Sequence, residues 1–210
     1  DVSLVGSEMC IRDSQKYNDD LWEIDTLSRR IISWITNSQL TYDEGGKIFK
    51  EKFNKIIFKQ TNHLINEIKR SDNYHDKLIG CSAIILTGIS YNDEKYLDFG
   101  LELLKKIITS CFDTEYFPKS RNIRQLVFYL KYFILLREFL KESSNEIPGY
   151  LDEIIFHLGK GYNFVWGSIK QSLLFNGNHN SNLEDFDVYL DYQKYSFKSC
   201  LLYTSPSPRD

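Results

Sequence analysis

Apolar residues return at every third or fourth position through six successive stretches of this chain, and that spacing commits most of it to amphipathic helices. The first stretch runs from Trp22 to Leu40, with Ile24, Leu27, Ile31, Trp34 and Ile35 on one side and Asp25 or Thr26 as its expected N-cap. Gly45-Gly46 interrupts, and a long second helix is predicted from Lys47 to Lys69, carrying Phe49, Phe53, Ile56, Ile57, Leu64, Ile65 and Ile68. Ser71-Asp72-Asn73 breaks the chain and caps a third helix, Tyr74 to Ile89, and Asn92-Asp93 caps a fourth that contains Tyr96, Leu97, Phe99, Leu101, Leu104, Ile107 and Ile108. A loop from Asp113 to Ser120, around Pro118, precedes a strongly apolar fifth helix from about Asn122 to Lys141. Pro148, tolerated in a first turn, starts a sixth that runs to about Leu158, where Gly159 and Gly161 are expected to end it. Ser172-Leu173-Leu174-Phe175 before Asn176-Gly177 reads as a strand entering a turn, and residues 178–199 show no helical period. Helices of this length in up-down order can pack as pairs into a solenoid or toroid, and no tight repeat marks one of the short repeat classes.

The two termini carry a different signal. Cys200-Leu201-Leu202-Tyr203-Thr204-Ser205-Pro206 back-translates to TGT CTC TTA TAC ACA TCT CCG; its reverse complement, in a shifted frame, encodes Glu8-Met9-Cys10-Ile11-Arg12-Asp13. One sequencing-library adapter read in both directions accounts for both ends, and such scars are set apart from fold reasoning. The expected organisation is residues 1–14 adapter-derived, 15–170 a truncated helical domain, 171–199 the beginning of a β-sheet domain and 200–210 adapter-derived.

Charge and cysteines narrow the function classes. Lys plus Arg number 26 and Asp plus Glu 29, a net charge of −3. Without Arg12 and Arg209 on one side and Asp1, Glu8, Asp13 and Asp210 on the other, the counts become 24 and 25, a net charge of −1. Such a balance argues for neither nucleic acid nor an anionic membrane, although an anionic polysaccharide would need a local basic patch. Cys81 and Cys111 lie in apolar helical surroundings and read as buried free thiols. No second Cys or His stands at ligand spacing, including around His157 and His179, so no metal or cofactor is expected. No uncharged apolar run reaches the length of a membrane span; Leu126–Leu136 comes closest and is interrupted by Lys131.

Phe117-Pro118-Lys119-Ser120-Arg121-Asn122, followed by Gln125-Leu126, Leu130 and Leu135-Leu136-Arg137, forms a signature, and Ser172–Gly177 forms a second about 50 residues on. With Trp22 and Ser28–Trp34 upstream, and the Leu78-Ile79-Gly80 to Gly88 helix before the signature loop, their order resembles the heparinase II/III family over roughly residues 20–178. The resemblance implies an all-α fold, an incomplete (α/α) toroid of paired antiparallel helices, with the start of a C-terminal β domain at Ser172–Gly177. It also implies a polysaccharide lyase that cleaves a uronic-acid-containing polymer, a glycosaminoglycan or alginate, by β-elimination, and a periplasmic or secreted location. A fragment of this extent would be inactive alone.

That chemistry sets what a site must hold. The proton α to the uronate carboxylate is weakly acidic, so donors must neutralise the carboxylate as charge builds on it. A base removes the proton and an acid protonates the leaving oxygen. The family's Asn-His pair aligns at His75-Asp76 and its Tyr at Gln125, an amide that cannot act as a base. The resemblance therefore assigns His75, Arg121 and Asn122 to the carboxylate and Gln125, Tyr129, Asn62 and His63 to substrate binding, with Tyr129 and Tyr132 as the phenols nearest the family's Tyr position; Trp22 and Trp166, by their flat apolar faces, are candidates for sugar stacking. The alternative is a non-catalytic carbohydrate- or protein-binding helical scaffold. A third, a glycoside hydrolase on a similar barrel, would need two carboxylates facing each other across a cleft.

Overall fold

The computed structural model describes residues 21–43, 45–166 and 183–197. Among them all regular structure is helical: α1 Ile24–Thr36, the short α2 Ser38–Thr41, α3 Lys47–Arg70, α4 Tyr74–Tyr91, α5 Glu94–Cys111, α6 Ile123–Glu142, α7 Gly149–Val165 and α8 Glu184–Tyr192. The all-α expectation therefore holds for the described residues. The strand expected at Ser172–Gly177 lies outside them, as do both terminal stretches assigned to adapter. No helix among the described residues is long and apolar enough to cross a membrane. The chain divides into two compact units, one running through Ser110 and including Glu138–Glu146, the other comprising Cys111–Arg137 and the residues from Ile147 onward.

The first unit is organised around α4, in which every residue from Leu78 to Gly88 is buried. A helix apolar on all sides is one that its neighbours cover completely. Leu27 and Ile31 of α1 and Leu64 and Ile68 of α3 meet Ala83 and Ile84 in one cluster, while Trp34 meets Phe49, Phe53, Ile56 and Ile57 in another. Each of the large side chains contributes on the order of 1.5–3 kcal/mol by leaving water. The polar residues inside α4 bond back into their own helix: Ser82 Oγ donates to the Leu78 carbonyl at 2.9 Å and Thr87 Oγ1 to that of Ala83 at 2.8 Å. Gly88 lets α5 approach, since a Cβ there would lie 2.6 Å from the Leu97 nitrogen.

The caps of this unit are partly as expected. The Asn73 side chain accepts from His75 N–H at 3.0 Å and starts α4. Asn92, left-handed at φ 51°, ends α4, and the Asp93 carboxylate accepts from Lys95 N–H at 3.0 Å to begin α5. The cap expected at Asp25 or Thr26 is instead Glu23, with no side-chain bond, and Asp25 sits in the first turn paired with Arg29 at 2.8 Å. The helix expected to reach Leu40 stops at Thr36, where Asn37 departs from helical backbone at φ −106° and ψ 30° with its side chain donating to the Ser33 carbonyl at 2.8 Å, and the chain re-enters helix as α2.

In the second unit α6 buries Ile123, Leu126, Leu130, Phe133 and Ile134. Two expectations fail here. α7 does not end at Gly159 and Gly161 but continues to Val165. Both glycines are contact points: a Cβ at Gly159 would overlap the Phe197 ring, and one at Gly161 would lie 3.3 Å from Leu126 Cδ1. The roughly 1 kcal/mol that a helical glycine costs is offset by the rings it admits. Residues 178–199, expected to lack helical period, contain α8, whose buried face is Phe186 and Leu190 beside Leu183. Four-residue spacing over nine residues is too short a pattern to stand out among Asp and Tyr, and tertiary bonds supply the rest. The Asp187 carboxylate accepts from Tyr162 Oη at 2.7 Å and Trp166 Nε1 at 2.9 Å.

Candidate functional site

The expected site residues divide between the units: Arg121, Asn122, Gln125 and Tyr129 in the second, Trp22, Asn62, His63 and His75 in the first.

In the second unit, Asp113 organises the signature loop. Its Oδ1 accepts from Glu115 N–H at 3.0 Å and Phe117 N–H at 2.9 Å, an Asx-type turn, while Oδ2 pairs with Arg121 Nη2 at 2.8 Å. The Lys119 N–H to Cys111 carbonyl bond, 2.9 Å, and the Phe112–Pro118 bridge close the base of the loop. Partial burial pulls the Asp113 carboxyl upward, but the Phe117 and Glu115 N–H groups and the Arg121 guanidinium outweigh it and hold the group below its ordinary range. Tyr116 and Arg121 both take left-handed backbone, φ 60° and 56°, at a cost on the order of 1 kcal/mol each that these bonds must offset.

Arg121 is 56% exposed and lies over the Phe117 ring, its guanidinium carbon 5.3 Å from the centroid. Asn122 is the cap of α6: its Oδ1 accepts from Arg124 N–H at 2.9 Å and, less favourably, from Gln125 N–H at 3.4 Å. Gln125 is half-buried in the first turn. Tyr129 does not fit its expected role. It is 5% exposed, edge-on to Phe112 at 4.8 Å, and burial, with its bond to the Cys111 thiol, pushes its phenol far above the ordinary range. It is a core residue, neither a platform for sugar nor a base, and Tyr132 is buried as well.

A group not foreseen from sequence is anchored on the same loop as Arg121. Tyr116 hydrogen-bonds Glu153 of α7, and its ring stacks on His157 with centroids 5.0 Å apart. The Glu153 carboxylate raises the phenol and holds its proton. Glu153 and His157 stand four apart on one helix, the one signal available; nothing in the sequence ties them to Tyr116.

In the first unit, burial lowers the His75 imidazole below its ordinary 6.5 against the opposing pull of Asp76 and Asp25, so it is neutral near pH 7. Asn62 and His63 engage different partners. Asn62 Oδ1 accepts from Tyr96 Oη at 3.1 Å, while His63 packs edge-on against Trp22 at 4.9 Å. Trp22, expected to offer its face to sugar, is 4% exposed, and so is Trp166. Cys81 is a buried free thiol as expected, donating to the Gly100 carbonyl at 3.1 Å, and Cys111 is only half-buried. No cluster of His, Cys, Asp or Glu among the described residues could hold a metal ion. No family model, curated protein or solved structure matches the chain.

Proposed function

We propose that this chain is a helical domain of a protein that acts on acidic polysaccharide, of the lyase type its motifs resemble, with Arg121 as the contact to a uronate carboxylate. The observation that carries the reading is the 113–122 loop. An exposed guanidinium, braced by Asp113 and Phe117, offers donors to a carboxylate at the start of α6. Charge that builds on a uronate during proton abstraction is stabilised by such a donor more than the ground state is. Tyr116, on the same loop, is the candidate acid for the leaving oxygen, which must compete with Glu153 for the phenol proton. Neither α6 position next to the loop serves as a base: Gln125 does not ionise and Tyr129 keeps its proton in the core. The base is proposed to come from outside the chain, so that the chain alone binds without completing elimination, and the toroid and β domain implied by the resemblance remain part of the proposal. The same burial of Tyr129 favours a second reading, a carbohydrate-binding scaffold with no chemistry of its own.

Affinity electrophoresis of the full chain in gels containing alginate or neutral dextran tests the polymer class, alongside ultraviolet absorbance for a new C=C bond. Retardation by alginate alone, reduced roughly 10-fold or more in Arg121→Ala, with no rise in absorbance, is expected. No retardation by any uronate polymer would end the polysaccharide reading. A rise in absorbance would overturn the assignment of the base to residues outside the chain.

A further inference from the structure

The loop is the smaller part of the positive charge. α3 holds seven Lys and Arg side chains against two carboxylates, Glu51 and Glu67, an excess of five positive charges in 24 residues of a chain whose total is −3. Asn54, Phe58 and Asn62 stand in line on this helix at four-residue steps. Asn54 Nδ2 donates to Tyr42 Oη at 3.2 Å and its Oδ1 accepts from Tyr91 Oη at 2.8 Å. Phe58 packs between Tyr91, 4.7 Å away, and Tyr96, 6.1 Å away, and Tyr96 closes the strip by donating to Asn62. Asn62 is exposed, the rest are half-buried, and Lys52, Lys55 and Lys59 are exposed on the same helix.

We infer that this strip of α3 is a binding site for a polyanionic glycan. Amide and phenol groups both donate and accept hydrogen bonds, which is what sugar hydroxyls require. Lys55, seven residues before Asn62 and so nearly in line with it, and the other lysines on the exposed side of α3 supply charge for carboxylates or sulfates along a helix that extends roughly 36 Å, long enough for several sugar units. Single-stranded nucleic acid is the poorer fit. Its bases need open ring faces, and here Phe58 is enclosed by two tyrosines. The carboxylates of Glu51, and of Asp93 near Tyr96, temper the charge without reversing it. The inference shares with the proposed function the class of polymer and none of its chemistry.

The test is retention of the full chain in gels holding polygalacturonate, heparin or dextran, with oligo(dT) as competitor, for Lys52→Glu/Lys55→Glu, Asn62→Ala and Arg121→Ala. Both lysines are exposed, so the helical circular dichroism of their double variant should be unchanged. Retention by a polyanionic glycan is expected to fall about 10-fold or more in the double lysine variant, with a shallower salt dependence. In Asn62→Ala it is expected to fall about 2–5-fold with the salt dependence kept, as loss of an uncharged hydrogen bond requires. Polygalacturonate and heparin distinguish carboxylate from sulfate as the preferred charge. Unchanged retention in both α3 variants while Arg121→Ala loses it would overturn this site and leave the loop standing. No retention of the parent chain would overturn both, and displacement of glycan by oligo(dT) at lower concentration would overturn the polymer class.

Discussion

Replacing Asp113 in two ways separates its two jobs. Asp113→Asn keeps an oxygen for the Glu115 and Phe117 N–H groups and loses only the ion pair with Arg121, which is itself more than half exposed. An exposed pair is worth about 0–1 kcal/mol. Asp113→Ala also loses the turn bonds, and removing such a side-chain acceptor costs about 0.5–2 kcal/mol. The sum is roughly 0.5–3 kcal/mol, and the positive φ of Tyr116 and Arg121 would then be unrestrained. Urea unfolding followed by circular dichroism should rank the parent above Asn and Asn above Ala. The pH dependence follows from the depressed carboxyl. Its contribution is full above the unfolded value of about 3.9 and is lost as pH falls through the lower folded value. The parent and Asp113→Asn should therefore converge in strong acid and differ at neutral pH. Equal costs for Asn and Ala, or no cost for Ala, would refute the assignment of the loop's order to the Asp113 turn.

Two further outcomes concern the packing. Gly88→Ala places a methyl 2.6 Å from the Leu97 backbone and should cost about 1–3 kcal/mol despite the helix propensity gained, whereas Gly149→Ala, with nothing within 4 Å, should be neutral or better; equal urea midpoints would contradict this. Burial raises the phenols of Tyr91, Tyr129 and Tyr162, so the stability they lend is complete below about pH 10 and is lost as pH rises above it. Thermal midpoints should fall in that window, less steeply in Tyr129→Phe; a flat alkaline profile would show these phenols to be accessible.

Much of the fold was legible because long periodic segments leave little choice. α3 to α6 begin and end within a few residues of where their apolar spacing and the Asn73, Asn92 and Asp93 signals put them. Gly159 and Gly161 misled because a glycine reads alike as a helix stop and as a close contact; only Phe197 and Leu126 distinguish the two. α8 was hidden because its anchor, Asp187, bonds to residues more than 20 positions away. The site was less legible. Arg121 and Asn122 were singled out by the signature, but sequence says nothing of exposure, and Trp22 and Tyr129 turned out to be core. Tyr116 and Glu153 meet only through the fold. The charge of α3 was in plain view, yet averaging over a near-neutral chain concealed it.

Titration calorimetry of the full chain with an acidic oligogalacturonate, against a neutral oligosaccharide of equal length at low and high salt, tests the recognition of acidic sugar most directly. Binding of the acidic sugar alone, weakened by salt and by Arg121→Ala, is the predicted result. Equal heats for both sugars, or none for the acidic one, would contradict it.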